Sequence, residues 1–183
     1  METVAVGQAV RFTRWCVITG APSSGKTAVI NQLERRGCKV VHEAARAYIG
    51  EELEKGLTLQ NIKADRLAFE RRILLKKVEI ESHLPAAERW FLDRAVPDSI
   101  AYFRFEGLDA SQPERLSRLI RYQHVFIFDR LQFARDTVRS ENDESAESLE
   151  RLLQDCYRQL GYELIRVPVM PVNERTRFVL DYR

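Results

Sequence analysis

The sequence predicts an α/β fold with a mainly parallel sheet, on three observations. Five short, mostly apolar runs punctuate the chain, at Trp15–Thr19, Lys39–His42, Trp90–Leu92, Val125–Phe128 and Glu163–Val167. Runs of that form are strands buried on both faces. Segments of helical spacing lie between them, and strands alternating with helices build a parallel sheet with helices on its faces. Between the first run and the first helical segment stands Gly20-Ala21-Pro22-Ser23-Ser24-Gly25-Lys26-Thr27. It matches G-x-x-x-x-G-K-[ST] in the strand–loop–helix setting where that pattern holds phosphate.

The elements follow in order. Residues 1–13 are expected to be an N-terminal extension before the first strand. The segment Gly25 to Arg36 is helical and stops at Gly37, a residue suited to the left-handed C′ position. Thr58 to Leu84 carries Ile62, Phe69, Ile73, Ile80 and Leu84 as one apolar stripe and reads as a single long helix. Arg71, Arg72, Lys76 and Lys77 read as its wet face. Ser111 and Glu114 form a capping-box pattern ahead of Leu116, Leu119 and Ile120. Leu149, Leu152, Leu153, Cys156, Tyr157 and Leu160 keep the helical period up to Gly161. The acidic Glu141, Asp143, Glu144 and Glu147 suit that helix's first turn. Asn173 is a candidate cap for a last helix through Tyr182.

Length and composition bound the rest. A chain of 183 residues fits one domain. The balance of 29 basic and 27 acidic residues, net +2, argues against a protein that coats nucleic acid. The longest aliphatic and aromatic run is Val125 to Phe128, far short of a bilayer span. The first residues show no apolar stretch followed by a cleavage site. Cys16, Cys38 and Cys156 form no disulfide framework or zinc pair, and His42, His83 and His124 form no visible metal set. Cytoplasm is the expected location.

Each fixed position of the loop has a physical reason. Gly20 and Gly25 let the backbone curl until successive N–H groups face one anion. Lys26 supplies a cation for the outer phosphates, and Thr27 a hydroxyl for Mg²⁺. The helix that runs through Ala28 turns its positive end toward the phosphates. The loop therefore implies nucleoside triphosphate binding through residues 20–28. Several classes fall away by absence. There is no N-K-x-D guanine motif, since Asn61-Ile62-Lys63-Ala64-Asp65 is out of register, and there is no L-S-G-G-Q signature. A ring-forming AAA⁺ machine would need more length and a helical lid domain. What remains is the small nucleotide- and nucleoside-kinase-like group.

Other strand ends carry a resemblance. They are His42-Glu43-Ala44-Ala45-Arg46-Ala47-Tyr48 and the stretch Asp93-Arg94-Ala95-Val96-Pro97-Asp98 to Tyr102. The tail from Cys156 to Pro168, then Glu174-Arg175, belongs with them. With the loop, these resemble a family of small P-loop domains labelled AAA or ATPase. They also resemble the kinase half of the bifunctional nicotinamide-mononucleotide adenylyltransferase/ribosylnicotinamide kinase. The thymidylate and deoxynucleoside kinases are more distantly similar. The resemblance implies a three-layer P-loop fold with a five-stranded parallel sheet of order 2-3-1-4-5.

Roles follow from it and from what phosphoryl transfer needs. Asp93, at a strand end beside the loop strand, is assigned to Mg²⁺ with Thr27; the alternative is a loop-capping carboxylate. Arg94 would clamp phosphate oxygens, unless it forms a surface ion pair. Glu43 would be the base or hydroxyl-orienting acid, with helix capping as the alternative. Arg46 would bind an acceptor phosphate or ribose. Asp98 and Tyr102, four apart, would line the acceptor pocket, although a capping role explains Asp98 nearly as well. In the kinases the region matching 130–142 is a lid, so Arg135 and Arg139 would close over the triphosphate; a solvated basic loop is the alternative. Pro171 and Val172 fall in the loop that touches the purine in the kinases. ATP is favoured, with GTP possible.

The expected function is an Mg²⁺-dependent kinase moving the γ-phosphate of ATP to a small nucleoside- or nucleotide-like acceptor, ribosylnicotinamide among them. The rival expectation is a regulatory nucleotide-binding module, slow or inert in hydrolysis, acting through a protein or lipid partner. A nucleic-acid-dependent ATPase fits the near-neutral charge poorly.

Overall fold

Two sheets organise the chain. The computed structural model describes residues 9–131 and 141–183, and for 141–143 the backbone alone. The main sheet has five parallel strands: β2 (Cys16–Thr19), β3 (Lys39–Val41), β4 (Trp90–Asp93), β6 (His124–Phe128) and β7 (Leu164–Val167). They lie in the order β3-β4-β2-β6-β7. Counted within this sheet alone, that is 2-3-1-4-5, as the resemblance implies. The labels differ because β1 (Arg11–Phe12) and β5 (Ile120–Arg121) pair into a second, two-stranded parallel sheet. Neither short strand is read from the sequence; residues 9–13 of the expected extension are thereby tied to the fold.

Side-chain alternation along β2 divides the interior. Cys16 and Ile18 face one way, with Phe126 and Phe128 of β6. There they meet Val29, Ile30 and Leu33 of α1 (Lys26–Arg35) and Val179 of α8 (Val172–Asp181). Trp15 and Val17 face the other way, against Leu92, Val125 and Tyr157. Beyond them α4 (Arg66–His83), α5 (Asp98–Phe105) and α7 (Glu141–Gln159) share a cluster of Leu74, Ile100, Phe103, Leu149 and Leu153. Helices on both faces of a parallel sheet explain why its strands read as continuous apolar runs.

Register sets the site. Ile18 pairs with Asp93, and Thr19 with Ile127. The carboxyl ends of β4, β2 and β6 therefore finish side by side, where such sheets bind ligands.

Several local expectations are corrected. The long helix is two: α3 (Leu59–Ile62), capped by Thr58 and Asn61, and α4, whose N-cap Asp65 accepts from the Ala68 N–H at 2.9 Å. Asp65 starts a new helix because its carboxylate satisfies an end donor that helical continuity would not leave free. Lys77 is not on a wet face; it is 5% exposed. Ser111 does not cap α6 (Ser111–Ser117). Its N–H and hydroxyl both donate to Asp109, at 3.0 and 2.7 Å, and Ile120 belongs to β5. Asn173 does not cap α8. The N-cap is Pro171, and the Asn173 carbonyl accepts from Gln32 at 2.5 Å. Gly37 does close α1, at φ 80°, with its N–H on Glu34 and that of Cys38 on Leu33. Among the described residues no helix is long and apolar enough to cross a membrane.

Candidate active site

The phosphate loop leaves β2 at Gly20, whose φ of 139° L side chains rarely adopt. A Cβ there would lie 2.7 Å from the Phe128 carbonyl oxygen, so no other residue fits without moving β6. Ser23 and Gly25 also have positive φ, 61° and 80°. Gly25 is the N-cap of α1 and brings no side-chain cap, which leaves the first helical N–H groups to an anion. Ala21 and Ser24 are buried, Pro22, Ser23 and Ala28 exposed, and Thr27 half-buried.

Lys26 folds back across the loop. Its ammonium donates to Gly20 O at 3.0 Å, Ala21 O at 2.8 Å and Ser24 Oγ at 3.0 Å. Burial, with Arg94 nearby, pulls its pKa down to about 7, against the pull of Asp93 and Glu43. A triphosphate would supply the missing negative charge.

A second residue holds the loop from behind. Arg175 of α8 is 1% exposed. It donates to Ser24 O at 2.5 Å, Pro168 O at 2.9 Å and Asp129 O at 3.3 Å, and its guanidinium carbon lies 5.3 Å from the Phe128 ring centroid. One planar fork thus ties the phosphate loop to the residues leaving β6 and β7. Burial depresses its pKa. A Cβ on Gly25 would sit 3.3 Å from this guanidinium, so the second loop glycine also makes room for Arg175.

Across the loop, Asp93 ends β4. It is buried, and its Oδ1 accepts no hydrogen bond among the described residues. Burial and the Glu43 carboxylate push its pKa up to about 6, although Lys26 and Arg94 oppose this. A buried carboxylate oxygen without a donor, close to the loop lysine, is an oxygen ligand of the kind a hard cation takes. The residues therefore fit Mg²⁺.

Arg94 adopts φ 69° and anchors its N–H on Ile18 O at 3.1 Å. Its side chain is enclosed. Nε reaches Glu43 Oε1 at 2.9 Å, Nη1 reaches Asp98 Oδ1 at 3.1 Å, and the guanidinium carbon lies 5.2 Å from the Tyr102 ring centroid. It is thus no surface ion pair, and much of its fork is committed to carboxylates. Glu43 is the N-cap of α2 (Ala44–Glu54) yet makes no capping hydrogen bond. Its second oxygen lies 3.8 Å from Arg46 Nη2.

Asp98 is corrected. It is fully buried and does not line the cleft. Four donors occupy its oxygens: Thr19 Oγ1 at 2.6 Å, Arg94 Nη1, Ala95 N at 2.9 Å and Tyr157 Oη at 2.6 Å. Burial alone would raise its pKa, but Arg94, Lys77 and the two hydroxyls outweigh it and hold the value below the ordinary range. Asp98 locks β2, β4, α5 and α7 together.

A cleft of about 1120 Å³ opens from Pro22 and Ser23 of the loop. Glu43, Arg46, Arg94 and Tyr102 all line it. Burial pushes the Tyr102 phenol up to about 12. Pro171 and Val172 do not line it; they lie exposed beyond β7. Arg135 and Arg139 fall outside the described residues.

Sequence reasoning gives Glu70 and Glu81 no role and reads Lys77 as solvated, yet Glu70 and Lys77 line the cleft and Glu81 is buried. Their spacing with Ile73 and Leu74 is the only signal, an inward helix face that happens to carry charge. Among the described residues no group of three His, Cys, Asp or Glu side chains is placed to hold a metal.

The loop, the strand order and the acid–arginine pairs at neighbouring strand ends define a P-loop fold of the nucleotide-kinase kind. The chain belongs to the AAA domain family, which matches residues 15–175. Solved structures agree on the fold. The NadR protein in complex with NR is similar at TM-score 0.66 and 18% identity, over 93% of this chain and 50% of that one. The chain thus spans half the length of NadR. Thymidylate kinase from Ehrlichia chaffeensis is similar at TM-score 0.65 and 16% identity, over 92% of this chain and 97% of that one. Deoxyadenosine kinase from M. mycoides with dCMP and dCDP bound gives TM-score 0.59 and 13% identity, over 91% and 97%. A search of curated proteins returned no match.

Proposed function

We propose that this chain is an Mg²⁺-dependent phosphotransferase, folded as a single domain and working in the cytoplasm. It moves the γ-phosphoryl group of ATP, or less favourably GTP, to a nucleoside- or nucleotide-like acceptor. The observation that carries this reading is the deep cleft running from the phosphate loop past Glu43 and Tyr102. A module that only senses a triphosphate has no use for a cleft that extends from the loop to Glu43, Arg46 and Tyr102.

In this reading residues 20–28 cradle the phosphates, and Lys26 leaves the loop carbonyls for the outer phosphate oxygens. Thr27 and Asp93 hold Mg²⁺, which neutralises charge on the phosphates. The acceptor hydroxyl loses its proton to Glu43 as its oxygen attacks the γ-phosphorus and the bond to ADP breaks. Arg94 keeps the Glu43 carboxylate in place, a positioning role beside the phosphate clamp read from the sequence. Arg46 meets the acceptor's ribose or phosphate. Arg135 and Arg139 close over the triphosphate, and Pro171 and Val172 lie against the purine. Ribosylnicotinamide is one candidate acceptor, since NadR binds NR in the same fold.

The test is consumption of ATP and of GTP with Mg²⁺, with and without a panel of nucleosides, nucleotides and ribosylnicotinamide. A Lys26→Ala control runs beside it. Stimulation by an acceptor, lost in the control, is expected. Tight triphosphate binding with no stimulation across the panel would favour a regulatory module acting through a protein or lipid.

A further inference from the structure

The main sheet has an open edge at β7, its last strand, which pairs with β6 alone. Val167 O accepts from Asp129 N at 3.0 Å. Val167 and, by alternation, Ile165 therefore turn their backbone groups to β6. Leu164 and Arg166 turn theirs outward, where no strand among the described residues meets them. Edge strands are commonly blunted by a projecting charge. The one charge on β7 is Arg166, and Asp129 at the end of β6 draws it inward, at 2.7 and 3.0 Å.

A groove of about 410 Å³ lies along α8 on the same side. One side of α8 meets α1, where Thr176 donates to Gln32 at 2.9 Å. Another side packs Val179 on the sheet. The side that remains, turned from α1 toward the edge, carries Glu174, Arg177, Phe178 and Asp181 as one stripe. Met170 and Tyr182 complete the groove lining, and the Phe178 and Tyr182 ring centroids lie 6.2 Å apart. Val169 and Val172, which flank Met170 in sequence, are 55% and 38% exposed. Apolar groups gathered at a surface in this way mark a docking face.

Charge says what docks there. Arg177 and Asp181 are exposed, and among the described residues neither forms an ion pair. They are opposite charges four residues apart on one helix face. A two-fold axis between them sets two such helices antiparallel, with Arg177 of each copy against Asp181 of the other. The face is thus complementary to itself, as a two-fold interface requires. The same axis sets β7 antiparallel to its counterpart, so the outward groups of Leu164 and Arg166 find partners.

We propose that two copies of this chain join through this face. The two five-stranded sheets become one of ten strands, and the α8 grooves close on each other with Phe178 and Tyr182 enclosed between the ion pairs. The cleft is walled mainly by α2, α4 and α5, toward the β3 end of the sheet. It stays open in the dimer, and dimerisation does not depend on the kinase reading.

The experiment is sedimentation of the full chain over a concentration series, beside Arg177→Asp, Asp181→Arg and the double swap. The wild type is expected to pass from the mass of one chain to that of two as concentration rises. Each single variant sets like charges across the axis twice and should weaken association about tenfold to a hundredfold. The double variant restores opposite charges and should recover it. Thermal midpoints of the dilute proteins should agree, since both residues are exposed. A wild type that stays monomeric up to about 0.2 mM, where an interface of standard size is well formed, overturns the proposal and leaves the face to a different protein chain. A dimer that both single variants leave intact, or that the double swap fails to restore, overturns it as well, since another surface would then hold the copies together.

Discussion

Replacing Arg175 with methionine is expected to destabilise the free protein by about 3–5 kcal/mol. Three backbone carbonyls, of Ser24, Pro168 and Asp129, lose their donor inside the fold. Each orphaned carbonyl costs about 1–3 kcal/mol. The Asp129 contact, at 3.3 Å, is the weakest and contributes least. Against this, methionine spares the desolvation that depresses the guanidinium pKa, which trims the total to the range seen when one partner of a buried polar pair is removed. That is from about a fifth to all of the roughly 5–15 kcal/mol stability of an ordinary domain. Lysine at the same position brings one ammonium on a flexible stem. It reaches one carbonyl where the planar fork reaches three, so it recovers only part of the loss. Urea unfolding of the three proteins measures this directly. A fluorescent ATP analogue supplies the functional readout. With Ser24 O released, the loop samples conformations in which carbonyls face the phosphates, and affinity falls about tenfold, or 1.4 kcal/mol. A methionine variant that loses less than about 1 kcal/mol, or a lysine variant equal to wild type in both assays, would refute the reasoning.

Other expectations rest on single contacts. Gly20→Ala places its Cβ 2.7 Å from the Phe128 carbonyl. With backbone strain added, it should cost roughly 3–5 kcal/mol and abolish triphosphate binding, as unfolding and binding titrations will read. Asp93→Asn should lower Mg²⁺-dependent turnover by about a hundredfold or more while metal-free ATP binding persists; retained turnover would remove Asp93 from the metal site. Glu81 is buried and its pKa is raised from 4.5 to about 7. A raised acid pKa means the folded state holds a proton that the unfolded chain has released. Its contribution is thus complete below about pH 4.5 and is lost as pH rises through about 7. Glu81→Gln should flatten that fall, worth at most about 3 kcal/mol, in unfolding curves taken across the window.

The legible parts of this protein are those where one physical demand fixes residue type. A phosphate cradle needs glycine at Gly20 and Gly25, a cation at Lys26 and a hydroxyl at Thr27, so four letters carry it. Strands covered on both faces must be apolar throughout, so the five main runs stand out. What stayed hidden depends on distant partners. Arg175 meets Ser24 across 151 residues, and no local pattern marks it. Asp98 looks like a pocket acid until Thr19 and Tyr157 are seen to occupy it. Glu70, Lys77 and Glu81 follow the same period a solvent-facing charged stripe would; only the packing of α4 against α5 shows which way they face. The short β1 is invisible because its partner, β5, comes more than a hundred residues later and reads as a helix end.

The most direct test of the account follows the phosphoryl group itself. With ATP labelled at the γ-phosphate, Mg²⁺ and the acceptor panel, the label should appear on an organic acceptor faster than as inorganic phosphate, and not at all with Lys26→Ala. Label recovered only as inorganic phosphate, or left on ATP under saturating binding, would contradict phosphotransfer to a small acceptor.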